Sequence, residues 1–293
     1  MTLLVLLMTA IAIGGGVAVL SWRWGGRTAP ATLRTAREAG AAMRRHPRLT
    51  GTLAARLDPE AATGLAVTLA LLAIVAGGVL VGVLAYLVRA TTDLAWLDDS
   101  VADWADRHAS AFSTDGLNAI THLGEPKVVI ALAAALAVVQ TVRTRSTWVV
   151  PFLLVVVAGN GVLTTAVKNL VERVRPDLNP IAETLGPSFP SGHSSWSAAF
   201  FSAAALLLSR GRGRATRAGI AGCAAALAVT VAGSRVLLDV HWLSDVIAGL
   251  ALGSAWFSVC AIAFGGRVLR FGAAAAEASR AARGRGGAAR APG

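Results

Sequence analysis

The sequence predicts an all-α protein that crosses a membrane several times. Of its 293 residues, 55% are hydrophobic and the mean hydropathy is +0.62. A soluble domain holds roughly half apolar residues even with glycine counted. Apolar runs near the roughly 20 residues that cross a bilayer as a helix recur along the chain. The charged residues, only 15% of the total, gather between these runs.

Taken in order, the runs cover 3–20, 64–88, 127–142, 147–167, 195–209, 217–233 and 246–264. The expected architecture is a bundle of six transmembrane helices over 64–264, preceded by one additional N-terminal transmembrane helix over 1–20. A secretory signal would carry basic residues before its apolar stretch. Here "MT" precedes it and the basic residues follow, so an uncleaved anchor is expected. Residues 21–63 form a basic connector in which "ATLRTAREAGAAMRRHPRL" has the make-up of an amphipathic helix lying on the membrane. Residues 91–125 read as an acidic, Trp-containing loop. The Ala, Gly and Arg-rich tail, 265–293, is expected to be disordered. No internal repeat stands out.

The formal net charge is +11. No soluble domain interleaves basic and aromatic residues, so nucleic acid is not an expected partner. In a membrane protein, basic residues report orientation and contact with anionic head groups. Cys223 and Cys260 lie inside apolar runs and read as small buried hydrophobes. The bias toward Ala, Gly and Arg suggests a GC-rich bacterial source, against which the two lysines, Lys127 and Lys168, are conspicuous.

Lys and Arg in short loops also assign the sides of the membrane. Twenty basic residues fall in 21–63, 143–146, 210–217 and the tail, and seven fall in the alternate set. The richer set is expected in the cytoplasm, which places the N-terminus, the 168–194 loop and the 234–245 loop outside. Four of the seven outer cations lie in those two loops: Lys168, Arg173, Arg175 and Arg235. Trp96, Trp148, Trp196 and Trp242 stand near expected helix ends, where indole rings favour the interface.

Three segments on that outer face carry candidate chemistry. In "KNLVERVRP", Lys168 and Arg175 are seven apart, two helical turns, so both cations are expected on one face. Pro176 is expected to end that helix at Arg175. In "SFPSGHSSW", Pro190, Ser191, Gly192 and His193 open an apolar helix whose unpaired N–H groups suit a phosphate. In "SRVLLDVHWLSD", Ser234 and Arg235 precede His241, and Asp245 is one helical turn beyond it. A carboxylate on one imidazole nitrogen fixes the tautomer and raises the basicity of the other. Each segment alone has a structural alternative: a helix end facing lipid phosphates, a plain N-cap, a satisfied His–Asp pair. All three on one face, reached by counting loops, favour a single anion site.

Together these segments resemble the three signature motifs of the type 2 phosphatidate phosphatase family, the lipid phosphate phosphatases. That family includes bacterial undecaprenyl-diphosphate phosphatases and is related to the soluble vanadium haloperoxidases. The resemblance covers about residues 64–264 and leaves out the first helix, the connector and the tail. It implies a six-helix phosphatase bundle in a bacterial cytoplasmic membrane with its active site facing outside. It implies phosphate binding by Lys168, Arg175, Ser191, Gly192 and Arg235. It further implies that His241 attacks phosphorus, that Asp245 orients it, and that His193 protonates the leaving group and then activates water. No metal or other cofactor is expected, and vanadate should inhibit. The expected partners are a lipid phosphate substrate and membrane lipids. Undecaprenyl diphosphate, phosphatidate, phosphatidylglycerol phosphate or another isoprenoid phosphate are the candidate substrates. Phosphotransfer to another hydroxyl, or a silent lipid-binding or transport role, are the alternatives. Asp239 receives no role, and His46, His108 and His122 are expected to be structural.

Overall fold

The computed structural model describes residues 1–24, 63–90, 94–176 and 186–268. The connector expected to lie on the membrane and the tail expected to be disordered fall almost entirely outside these residues. The chain forms α1 (Thr2–Trp24), α2 (Thr63–Ala90), α3 (Ala95–Arg107) and α4 (Ala111–Thr121), then a 3-10 turn, His122–Gly124. It continues as α5 (Pro126–Thr144), α6 (Val149–Val171), α7 (Gly192–Leu208), α8 (Arg214–Leu237) and α9 (Leu243–Val268). Each of the seven apolar runs is a helix, and six of these helices are long and apolar enough to cross a membrane. The seventh, α7, has 17 residues and is the central one. It packs against α5, α6, α8 and α9, and Phe200, Phe201, Ala203 and Leu207 are buried among them. Large side chains of the outer helices, such as Leu72, Val75 and Val79 of α2, face outward. Only a bilayer makes that arrangement inexpensive.

Small residues set the tightest helix crossings. On α1, Leu6, Ala10 and Gly14 recur every four residues and are buried, while Leu4, Met8 and Ile11 are exposed. A Cβ on Gly14 would come 2.6 Å from the carbonyl oxygen of Gly222 on α8. The first helix is therefore closely packed against α8. On α9, Gly249 and Gly253 form a small-xxx-small stripe of the kind that lets two backbones approach. A Cβ on Gly253 would stand 2.2 Å from the carbonyl oxygen of Ser195 on α7. This contact fixes the start of α7 against α9.

The 91–125 segment departs from expectation. It contains two helices, α3 and α4, as well as the 3-10 turn. Ser110 and Ser113 form a reciprocal capping box at the start of α4, each side chain accepting from the other's backbone N–H. Capping of this kind satisfies N–H groups that would otherwise be orphaned. Both helices pack on α8, and α3 also touches α9, so the segment roofs the end of the bundle where the three candidate motifs lie.

Candidate active site

Lys168 sits in the last turn of α6. The helix stops at Val171, four residues short of Arg175, because Glu172 turns into the left-handed region at φ 50°. Lys168 and Arg175 thus do not share a helical face, contrary to expectation. Arg175 reaches the site from the non-helical residues that follow α6. The two cations still converge, since both donate to the carbonyl of Pro187, Arg175 Nη2 at 3.4 Å. Arg175 Nε also donates to Gly186 O at 2.8 Å and Nη1 to Val240 O at 2.6 Å. Ser188 ties the two strands of this loop, donating from its N–H to Arg173 O and from Oγ to Val174 O.

The opening of α7 follows. Ser191 is its N-cap residue, but its side chain does not cap the backbone. Instead its Oγ accepts from Ser194 Oγ at 3.0 Å. The backbone N–H groups of Gly192 and His193 thus open the helix with no side-chain cap, and the first N–H groups of a helix have no partner within it. Ser191 N–H donates to Asp245 O at 2.9 Å, binding the second motif to the third. The half-buried His193 makes no side-chain hydrogen bond to the described residues, and it lies within electrostatic reach of Arg235, His241, Arg175 and His122.

The third motif joins α8 to α9. Asp245 is in the first turn of α9, and its Oδ2 accepts from the backbone N–H of Trp242 at 3.1 Å, half of a capping box. The same oxygen faces His241 Nδ1 at 3.4 Å, and the ring's Nε2 faces Arg175 Nη1 at 3.1 Å. His241 is 3% exposed and Asp245 fully buried. Burial drives the His241 pKa down to about 4, opposed by Asp245 and helped by Arg175 and Arg235. Arg235 donates from Nη1 to Thr121 Oγ1 at 3.0 Å, while its buried Nε finds no partner among the described residues. A buried donor left over beside a histidine is what an anion site requires. Ser234 does not join it, its hydroxyl bonding back to Val231 O within α8.

Lys168, Arg175, His193, Arg235, His241 and Asp245 therefore form one electrostatic cluster, and the Ser191 N–H is bonded to it through Asp245 O. Four neighbours were given no role in the site by the sequence. Thr121 holds Arg235. The exposed pair His122 and Glu125, 2.6 Å apart, stands at the rim on the 3-10 turn that packs against α7. Arg173 reaches Asp245 directly, Nη1 to Oδ1 at 2.6 Å. Beside Arg175, a cavity of about 280 Å³ is lined by Asp98, Asp99, Arg173, Val174 and Trp242 among others.

Comparison with known proteins gives the chain a family. The family model "PAP2 superfamily" matches residues 149–268, which hold all three motifs. The chain is 36% identical over 141 residues to lipid A 1-phosphatase of Rhizobium johnstonii, covering 43% of this chain and 54% of that protein. It thus spans only about half the length of that relative. It is 30% identical over 161 residues to phosphatidylglycerophosphatase B of Bacillus subtilis, covering 53% of this chain and 77% of that one. Against decaprenylphosphoryl-5-phosphoribose phosphatase of Mycobacterium tuberculosis it is 34% identical over 157 residues, covering 50% and 78%. Among solved structures it superposes on the transmembrane PAP2 type phosphatidylglycerolphosphate phosphatase of Bacillus subtilis. The TM-score is 0.60 at 26% identity, over 64% of this chain and 94% of that one. With the fold, the three motifs and these relatives in agreement, this multi-pass membrane protein belongs to the PAP2 superfamily.

Proposed function

We propose that the protein is a phosphatase of lipid phosphates or diphosphates, working through a phosphohistidine at His241 on the extracytoplasmic face. One observation carries the reading: a buried histidine has Nδ1 turned to Asp245 and Nε2 turned to the guanidinium of Arg175. Arginine has no acceptor, so Nε2 carries the lone pair and Nδ1 the proton. That lone pair points among the cations that would hold a phosphoryl group.

In this reading Lys168, Arg175, Arg235 and the N–H groups opening α7 grip the equatorial oxygens, where the transition state gathers charge. His241 Nε2 forms a bond to phosphorus as the P–O bond to the lipid breaks. His193 gives a proton to the departing oxygen, then takes one from the water that cleaves the P–N bond. Phosphate leaves and Nε2 regains its lone pair. These residues supply charge, nucleophile and proton transfer without a metal. The names of the relatives suggest a glycolipid, glycerophospholipid or polyprenyl phosphate as substrate. The excess of basic residues at the opposite end of the bundle supports the outward orientation.

The test uses purified protein in detergent, with chelator, against phosphatidate, phosphatidylglycerol phosphate, lipid A and undecaprenyl diphosphate. Phosphate release from at least one lipid is expected, with His241→Ala lowering it by about 10³-fold or more while the protein stays folded. Undiminished activity of His241→Ala overturns the assignment.

A further inference from the structure

Behind the histidine lies a buried ionic chain that the three motifs do not include. Arg173 precedes Arg175 by two residues, and its guanidinium forks between two carboxylates. Nη1 donates to Asp245 Oδ1 at 2.6 Å and to Ser244 Oγ at 2.7 Å, and Nη2 donates to Asp98 Oδ2 at 2.8 Å. Asp98 comes from the first turn of α3 and is 1% exposed. Its Oδ1 accepts from the backbone N–H of Ser244 at 3.0 Å and its Oδ2 from Ser244 Oγ at 2.6 Å. The Arg173 guanidinium also lies over Trp242, 5.3 Å from the ring centroid.

Charges therefore alternate from Asp98 through Arg173 to Asp245 and end on the imidazole of His241. The oxygens of Asp245 divide their work: Oδ1 serves Arg173 and Oδ2 serves His241 Nδ1 and Trp242 N–H. Rotation of the carboxylate, which would turn His241 away, breaks a charge-assisted bond at Oδ1. The guanidinium is planar and bonded at both ends, so its own orientation is fixed by Asp98. The three partners lie on three separate elements, α3, the segment after α6, and α9. The chain thus connects the roof of the site to its nucleophile.

We propose that Arg173 and Asp98 are positioning residues for phosphoryl transfer, holding Asp245 so that His241 keeps Nε2 aimed at the bound phosphate. The proposal rests on the reading of His241 as the attacking group. Partners at this remove from a reacting atom are typically worth roughly 10- to 100-fold in activity.

The experiment measures initial rates on the panel lipid that wild-type protein hydrolyses fastest, with His241→Ala alongside. Arg173→Met is expected to lower kcat roughly 10- to 100-fold with KM within about threefold. Arg173→Lys, which keeps the charge but not the fork, recovers part of that loss. Asp98→Asn lowers kcat less, and adding it to Arg173→Met costs nothing further, since the chain is already cut. Should Arg173→Met not fold, Asp98→Asn alone decides by its kcat. Wild-type kcat in Asp98→Asn or Arg173→Met, losses confined to KM, or losses that multiply in the double variant overturn the inference. Activity in His241→Ala, or none in wild type on any panel lipid, instead overturns the reading beneath it.

Discussion

Nη1 of Arg175 lies 3.1 Å from Nε2 of His241 and donates to it. The same guanidinium holds the backbone at Gly186, Pro187 and Val240, so its position is set by the residues before α7 and by those between α8 and α9. A phosphate attacked by His241 must meet Nε2 beside this group. Arg175→Lys removes the planar fork and keeps the charge. It should lower kcat/KM by about 10²-fold, and Arg175→Met by about 10³-fold or more. Inhibition by vanadate should weaken in parallel. Wild-type activity in Arg175→Lys would show that charge alone matters there, and the fork does not.

The low pKa of His241 sets a pH expectation. An ordinary histidine begins to protonate near pH 6.5, whereas burial holds His241 neutral down to about pH 4. Protonation removes the lone pair, so loss of the nucleophile belongs near pH 4. After correction for the substrate's own ionisation, kcat/KM should show no acid limb from His241 near pH 6.5. Titration of the His241 ring near pH 6.5, followed by NMR, would contradict the buried dyad.

The tight contact between α7 and α9 is open to a steric test. Gly253→Val places a side chain where even a Cβ would stand 2.2 Å from Ser195 O. Overpacking of this kind costs about 1–3 kcal/mol. Thermal unfolding in detergent should shift down by several degrees, and activity should fall because the Ser191–Asp245 bond joins the same two helices. Gly78, with open space around its Cβ position, is the control: Gly78→Ala should leave both unchanged.

Asp239 offers the reverse case. It adopts φ 54°, and both its buried carboxylate oxygens lack hydrogen-bond partners among the described residues. Burial, then Asp106 and Asp103, raises its pKa to about 6. A carboxyl raised in the native state favours folding when protonated and loses that advantage as pH rises through about 6. Asp239→Asn removes the charge and suits the left-handed backbone. It should raise the thermal midpoint at pH 7.5 and raise it less at pH 4.5. Equal effects at both pH values would remove the electrostatic explanation.

The membrane helices were legible because bilayer length and hydropathy leave little choice of structure. The three motifs were legible because each packs its chemistry into a few consecutive residues. Sequence reasoning failed where partners are remote. Arg173 and Asp98 meet across 75 positions, and no local spacing announces such a pair. The stop of α6 at Val171 was missed because Glu172, rather than Gly or Asn, takes the left-handed position there. Pro176 signals only the residue before it. The helices within 91–125 were missed because polar residues facing water masked their spacing, although Ser110 and Ser113 carry a capping signal.

Rapid-quench labelling tests the central claim most directly. With a ³²P-labelled aryl phosphate, whose leaving group needs no general acid, His193→Ala should accumulate label on the protein. The account predicts nearly one phosphate per chain, labile to acid, stable to alkali and mapping to His241. Turnover by wild-type protein with no labelled chain, or label at any other residue, would contradict it.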